Sequence, residues 1–226
     1  MAIQTPDASL VFEDRASAGR LLAQDLLAYK KDNPTVLALP RGGVVVGYEI
    51  ARALNAPLDV IVARKLGAPG HEELGIGAIA PGGVRVLDEM AVQWLGITEA
   101  QLQRVMARET EEMNRRLRLY RGERPLPDVK NRTVILVDDG LATGVTARAA
   151  ILSLRQQQPR RLVLAVPVCA AETAERLRQE VDDLVCASIP PYFRAVGIWY
   201  HRFEQTTDQE VIDLLDRAAR YSAAPV

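Results

Sequence analysis

The chain has few aromatic residues, only two cysteines, almost no net charge and no long apolar run. Phe, Trp and Tyr make up 5% of its 226 residues, and the formal net charge at pH 7 is −1. This balance removes the general electrostatic case for binding nucleic acid or an anionic membrane. No apolar stretch approaches transmembrane length, and the first residues lack the apolar region of a secretory signal. These absences predict a cytoplasmic protein with no membrane partner.

The two cysteines and two missing motifs exclude further classes. Cys169 and Cys186 lie in apolar, strand-like runs without metal-ligand spacing, so we interpret them as buried thiols in a reducing compartment. The sequence contains neither Gly-x-x-x-x-Gly-Lys-[Ser/Thr] nor Gly-x-Ser-x-Gly. Their absence argues against a P-loop nucleotide-binding domain and against an α/β hydrolase.

What is present is an alternation of strand-like and helix-like runs, which predicts an α/β fold with a parallel sheet flanked by helices. A long polar helix over residues 97–120 interrupts this alternation and begins with the capping-box pattern Thr98-Glu99-Ala100-Gln101. Its narrow apolar stripe fits either a solvated surface helix or a subunit contact in a homodimer. We therefore predict a single domain over residues 1–226, with an inserted helical segment at about 88–130.

The most informative stretch runs from Val134 to Thr146. Four β-favouring aliphatic residues predict a strand buried on both faces, and Asp138 and Asp139 follow where that strand should end. A small-residue loop with two glycines and two threonines then leads into a helical pattern. Backbone N–H groups and hydroxyls at a helix N-terminus can surround a phosphate, while the carboxylates can accept hydrogen bonds from ribose hydroxyls. An ordinary βα turn is the alternative, but it needs neither the acidic pair nor the threonines.

This stretch resembles the phosphoribosyl-pyrophosphate (PRPP) motif of type I phosphoribosyltransferases, which has four hydrophobic residues, two acidic residues and a Gly/Thr loop. The resemblance extends over about residues 35–187 and is greatest to a branch of the family whose acceptor the motif does not reveal. It implies a type I phosphoribosyltransferase-like fold with a C-terminal hood. It also implies catalytic roles for Asp138 and Asp139, and binding of the PRPP 5-phosphate by Gly140, Leu141, Ala142, Thr143, Gly144, Val145 and Thr146.

A second loop, at residues 39–43, has the sequence Leu-Pro-Arg-Gly-Gly and opens the next helix. Paired glycines allow a close backbone approach to a ligand, and an arginine can bind phosphate oxygens through two N–H groups. In the family the equivalent loop holds pyrophosphate, often through a strained peptide, and basic residues near a flexible loop touch it too. The resemblance thus implies pyrophosphate binding by Arg41, Gly42, Gly43, Arg64 and Lys65, with residues 66–75 as the mobile loop. His71 in that loop is a candidate acid or base, or simply a solvated histidine.

Residues 189–203, which we call the hood, hold most of the aromatic residues. Tyr192, Phe193 and Trp199 are candidates for binding the acceptor, because aromatic rings can stack on a planar base. The alternative is a small satellite core under a loop.

The resemblance implies a transferase that moves a 5-phosphoribosyl group from PRPP to a nitrogenous acceptor, a nucleobase or related compound in nucleotide metabolism. Mg²⁺ is the implied cofactor, bound mainly through PRPP rather than in a cage of protein ligands. The rival interpretation is a regulatory PRPP-sensing protein that keeps the fold without turnover, with RNA as a candidate partner. The near-neutral charge and the lack of a basic stripe argue against the RNA partner.

Overall fold

The computed structural model describes residues 10–222, and the side chains as far as residue 220. In this part of the chain there are eight strands: β1 (Thr35–Ala38), β2 (Leu58–Val60), β3 (Arg64–Ala68), β4 (His71–Ala80), β5 (Val84–Leu87), β6 (Thr133–Val137), β7 (Arg161–Val168) and β8 (Asp183–Ser188). The α-helices of the same part are α1 (Arg15–Leu26), α2 (Gly42–Leu54), α3 (Glu89–Trp94), α4 (Glu99–Arg121), α5 (Val145–Gln156), α6 (Ala171–Arg178) and α7 (Asp208–Ser222). Short 3₁₀ helices lie at Leu27–Asp32 and Val196–Trp199.

A five-stranded parallel sheet in the order β2-β1-β6-β7-β8 forms the centre of the fold. Strands β1, β6 and β7 are largely aliphatic runs buried on both faces, as the sequence predicts. One face packs on α1, α2 and α7, through residues such as Leu22, Ile50 and Leu215. The other face packs on α5 and α6, through residues such as Ile151 and Leu177. The prediction of a parallel sheet flanked by helices is confirmed.

The strand order reverses between β1 and β6. From β1 the chain passes to β2 on one side, whereas β6, β7 and β8 extend in sequence on the other side. In open α/β sheets, ligands bind in the crevice outside the carboxyl ends of the strands at such a switch point. The loop at residues 39–43 follows β1, and the acidic pair follows β6. The topology therefore brings both predicted loops to the crevice.

A separate antiparallel sheet, in the order β3-β4-β5, covers part of α5 and contacts α4. The prediction of a loop at 66–75 is wrong, because β3 and β4 form a hairpin there. The mobility of this segment stays a prediction. Gly70 turns the hairpin at φ 78°, in the left-handed region that favours glycine. At Gly67 a Cβ atom would lie 2.2 Å from the carbonyl oxygen of Glu72, so this glycine permits close strand approach. His71 is exposed at the start of β4.

The predicted polar helix is α4, and its capping box is present, with Thr98 as the N-cap and Gln101 at the third helical position. The helix packs against β3 and α7. Asp14 likewise caps α1 in a capping box with Ser17. None of the helices in the described residues is both long enough and apolar enough to cross a membrane.

Candidate functional site

The acidic pair and the Gly–Gly loop lie in direct contact. The N–H of Leu39 donates to the carbonyl of Val137 (2.8 Å), so the chain leaves β1 and β6 side by side. A Cβ atom on Gly42 would lie 1.9 Å from Oδ2 of Asp139. On Gly43 it would lie 3.0 Å from the Cα of Asp138. Only glycine permits this approach at residue 42, so the two glycines bring the N-terminus of α2 against the two carboxylates.

Two helices begin at this crevice without a side-chain cap. The N-cap residue of α2 is Arg41, which follows a cis Pro40–Arg41 peptide bond, and that of α5 is Gly144. Neither helix start receives a side-chain cap from the described residues. Gly144 has φ 65°, which a residue with a Cβ rarely adopts. The first N–H groups of a helix have no partner within the helix and favour an anion. The crevice is thus bounded by two potential anion sites.

Side chains of α6 hold two carbonyl oxygens of the loop at residues 140–146, which we call the phosphate loop after its predicted ligand. The hydroxyl of Thr173 donates to the carbonyl of Ala142 (2.6 Å), and Nη2 of Arg176 donates to the carbonyl of Thr143 (2.5 Å). The N–H of Leu141 donates to the carbonyl of Val168, which ties the loop to the end of β7. These bonds fix the loop through its acceptors. The hydroxyls of Thr143, which is exposed, and Thr146, which is half-buried, make no hydrogen bond within the described residues.

The two carboxylates of the pair have different surroundings. Asp139 accepts from Nε of Arg15 (2.7 Å), and its backbone carbonyl accepts from the hydroxyl of Tyr200 (2.5 Å). Asp138 accepts from the N–H of Asp139 (2.9 Å) and has no ion-pair partner within residues 10–222. Burial raises the pKa of Asp138 well above its usual value, and the charge of Asp139 raises it further. Burial also raises the pKa of Asp139, but the Arg15 guanidinium opposes this rise.

Burial also raises the pKa of Tyr200, so this hydroxyl stays protonated and remains a donor. Of the acidic pair, Asp139 therefore has a fixed counter-ion, Arg15, whereas Asp138 has none among the described residues.

Arg41 lies near Asp208, the first residue of α7. Its Nη1 is 3.8 Å from Oδ1 of Asp208, and the same oxygen accepts from the hydroxyl of Tyr120 at the end of α4 (2.5 Å). Burial, followed by the hydrogen bond to Asp208, raises the pKa of Tyr120 to about 12. The loop at 39–43 is thus linked to both α4 and α7.

Arg64 and Lys65 begin β3 of the antiparallel sheet and do not follow a strand of the parallel sheet directly. Arg64 forms an ion pair with the buried Glu109 of α4 (2.7 Å). Lys65 is exposed and shares a cavity of about 490 Å³ with Thr143 and Val145 of the phosphate loop. Their contact with pyrophosphate stays a prediction.

The aromatic residues of the hood lie in a small satellite core and beside a cavity. Phe193 stacks on Trp199, with ring centroids 6.4 Å apart, and both pack on a satellite core that includes Phe12 and Tyr200. Tyr192 is 87% exposed, and with Phe193 it lines a cavity of about 650 Å³ that reaches Ala142 and Thr143. Phe193 and Trp199 thus take part in a satellite core. An acceptor-binding role for Tyr192, Phe193 and Trp199 stays a prediction.

Six residues that hold the site together could not be predicted from the sequence. They are Arg15, Tyr120, Thr173, Arg176, Tyr200 and Asp208. None belongs to a local motif, and each acts through a contact distant in sequence, such as the 124-residue separation between Arg15 and Asp139. No group of three or more His, Cys, Asp or Glu side chains in the described residues could hold a metal ion.

The fold and this crevice define a phosphoribosyltransferase domain. The family model described as "Phosphoribosyl transferase domain" matches residues 13–204, which is most of the chain, so the chain belongs to this family. The resemblance inferred from the motif is confirmed.

Three similar proteins extend this assignment. Two curated proteins of Mycobacterium tuberculosis, from strains CDC 1551 / Oshkosh and ATCC 25618 / H37Rv, are each named "Putative phosphoribosyl transferase". Each is 43% identical over 210 residues, which is 93% of this chain and 47% of the relative. The chain thus spans about half the length of these relatives. The crystal structure of TT1426 from Thermus thermophilus is 43% identical with a TM-score of 0.76, covering 91% of this chain and 98% of that one.

Proposed function

We propose that the protein transfers the 5-phosphoribosyl group of PRPP to a nitrogenous acceptor, a nucleobase or related compound, and releases pyrophosphate. The observation that carries this proposal is the pair of uncapped helix N-termini on either side of Asp138 and Asp139. PRPP has a phosphate at one end of a ribose and a pyrophosphate at the other, with hydroxyls between them. The crevice has the same order: a potential anion site, a pair of hydrogen-bond acceptors and a second potential anion site.

The reaction breaks the bond from C1 of the ribose to the pyrophosphate oxygen, and the electron pair leaves with pyrophosphate. The acceptor nitrogen forms the new bond to C1, and its proton passes to water. Arg41 and the N–H groups of Gly42 and Gly43 would stabilise the departing anion. Asp138 and Asp139 would accept hydrogen bonds from the ribose hydroxyls, and their charge favours the cationic character that C1 acquires.

The phosphate loop would hold the 5-phosphate through the first N–H groups of α5 and the hydroxyls of Thr143 and Thr146. Because α6 already binds the carbonyls of Ala142 and Thr143, the loop needs little reorganisation to present its donors. A fixed 5-phosphate keeps C1 at one place relative to the leaving group. Arg64 and Lys65 are further candidates for pyrophosphate binding.

Mg²⁺ fits this site as a companion of PRPP. The ion prefers oxygen ligands and keeps several waters, so PRPP oxygens and water can hold it while the carboxylates stay with the ribose. When bound, it would neutralise part of the pyrophosphate charge.

The test combines binding with turnover. The protein is incubated with PRPP, Mg²⁺ and each base of a nucleobase panel, and pyrophosphate and nucleotide are measured by ³¹P NMR. The double variant Asp138→Asn/Asp139→Asn, checked for folding by circular dichroism, is the control. Turnover in the wild type and none in the variant would support the proposal. PRPP binding without pyrophosphate release for any base would instead support the PRPP-sensing regulator, and no PRPP binding would refute both.

A further inference from the structure

Arg15 belongs to none of the recognised motifs, yet its side chain contacts the acidic pair. It is the first residue of α1, yet its Nε lies 2.7 Å from Oδ2 of Asp139, and the two side chains are only 12% and 17% exposed. The ideal Cβ of Gly42 would lie 2.6 Å from the same Nε. The guanidinium therefore lies between the acidic pair and the N-terminus of α2, at the crevice itself.

Two contacts fix the orientation of this guanidinium independently of Asp139. Its Nη1 donates to the carbonyl of Glu204 (2.8 Å). Its central carbon lies 3.7 Å from the centroid of the Phe203 ring, a cation–π contact. Phe203 in turn stacks on Tyr200, with centroids 4.9 Å apart. A guanidinium held on three sides is a rigid donor rather than a mobile surface charge.

The same short segment also holds the backbone of Asp139, since the Tyr200 hydroxyl donates to its carbonyl oxygen. Asp139 is thus clamped at its side chain by Arg15 and at its main chain by Tyr200. Asp138 has neither contact. An exposed ion pair contributes little to stability, but a partly buried one with fixed geometry sets where the carboxylate points.

We propose that Arg15 is a positioning residue of the phosphoribosyl site, which fixes the Asp139 carboxylate for contact with the ribose of PRPP. This inference rests on the proposed function, because it assigns Asp139 to PRPP. A purely structural role for Arg15, tying α1 to the sheet, would affect stability without coupling to Asp139 in ligand binding.

The test is a double-mutant cycle in PRPP affinity, measured by calorimetry with Mg²⁺ present. Its members are Arg15→Gln, Asp139→Asn and the double variant, with Arg15→Lys as the conservative replacement. Arg202→Gln is the matched control, because Arg202 lies in the same corner of the fold but pairs with Glu13 and Asp14. Thermal unfolding is followed for each variant.

Arg15→Gln should weaken PRPP binding about tenfold, the typical consequence of losing one charge-assisted contact. Arg15→Lys should recover most of this loss, because it returns a cation to Asp139. The double variant should bind PRPP as weakly as Asp139→Asn alone, and Arg202→Gln should bind like the wild type. If Arg15→Gln does not fold, Phe203→Leu takes its place, since it removes the ring under the guanidinium and leaves the ion pair. It should then also weaken PRPP binding.

Additive losses in the cycle, no recovery by lysine, or an equal loss in Arg202→Gln would overturn the positioning role. If wild-type protein does not bind PRPP, the proposed function fails and this inference falls with it. If PRPP binds and Asp139→Asn abolishes binding, but Arg15 acts additively, this inference alone fails.

Discussion

Replacing Asp138 with asparagine should make the protein more stable at neutral pH while weakening PRPP binding. The asparagine oxygen can keep the hydrogen bond from the N–H of Asp139, so the change removes charge and little else. In the wild type this charge is partly buried, beside a second carboxylate, and has no cation partner in the described residues. We therefore expect the charge to cost stability and to be retained for binding.

The size of the gain follows from these contacts. A buried polar group without full compensation costs about 1–3 kcal/mol, and the one retained hydrogen bond does not change on substitution. The variant should therefore gain about 1–3 kcal/mol above the folded-state pKa of Asp138. At this chain length, roughly 1 kcal/mol corresponds to a shift in Tm of about 2–4 °C.

The pH dependence gives the sign of the effect. A carboxyl whose pKa is raised by folding binds its proton more tightly in the folded state, so wild-type stability falls as pH rises from the usual carboxyl range to the folded pKa. The advantage of Asp138→Asn should be complete above that folded pKa and should vanish as pH falls to the usual range. Thermal unfolding by circular dichroism between about pH 4 and pH 8 measures it directly, since this span covers the usual carboxyl range.

Asp182→Asn is the matched control with the opposite sign. Burial of Asp182 is outweighed by hydrogen bonds from the N–H of Leu162 and from Arg155, so its pKa is lowered. Its replacement should reduce stability at neutral pH and leave PRPP affinity unchanged. The reasoning is refuted if Asp138→Asn is less stable than the wild type at about pH 7.5, well above the usual carboxyl range, or if its advantage persists unchanged at low pH.

Three further predictions concern ligand affinity. Arg41→Ala should reduce affinity for PRPP by roughly 10–100-fold but barely affect ribose 5-phosphate, since only PRPP carries the pyrophosphate; equal losses in calorimetry would place Arg41 elsewhere. Gly42→Ala should lower PRPP affinity by at least about tenfold, because the new Cβ would lie 1.9 Å from Oδ2 of Asp139 and would push that carboxylate away; an unchanged Kd contradicts this. Gly144→Ala should weaken binding of ribose 5-phosphate, because the φ of 65° disfavours a side chain and the new methyl would meet Thr173; unaltered affinity by thermal shift would disprove the phosphate assignment.

The parallel sheet and the two crevice loops were predictable because their signals are local. Strand β6 is a run of aliphatic residues, and burial of both faces demands such a run whatever the neighbours are. The capping boxes at Asp14 and Thr98 likewise involve residues three positions apart. Parallel topology then brings the loops after β1 and β6 to one crevice without further information.

The hairpin of β3 and β4 was not predictable from composition, because glycine has two uses. Gly67 and Gly75 resemble flexible-loop residues in the sequence. In the structure, a Cβ at Gly67 would lie 2.2 Å from the backbone oxygen of Glu72, whereas a Cβ at Gly75 would meet only the flexible end of the Lys65 side chain. Gly67 therefore allows the two strands to approach closely, and only the partner strand reveals this role.

The contacts that hold Asp139, from Arg15 to its side chain and from Tyr200 to its main chain, could not be predicted from local sequence patterns. We call these two contacts the clamp. Arg15 and Tyr200 have no spacing that marks them, and each is an ordinary residue of its segment. Their roles arise when α1 and the hood meet at the crevice, where the isolated bridge between Phe12 and Tyr200 joins the two segments. A contact between residues so far apart in sequence depends on the whole topology.

The clamp also imposes an order of events during synthesis. Arg15 emerges from the ribosome early, Asp139 follows 124 residues later, and Glu204 comes 189 residues after Arg15. At typical translation speeds of about 5–20 residues per second, the last of these contacts must wait roughly 3–13 s after Asp139 has been made. Until then the nascent chain can form its sheet, but Arg15 lacks the contacts with Phe203 and Glu204 that hold it beside the acidic pair. The crevice is therefore among the last features of this domain to mature, and a chain cut short before Phe203 would contain the motif without a finished site.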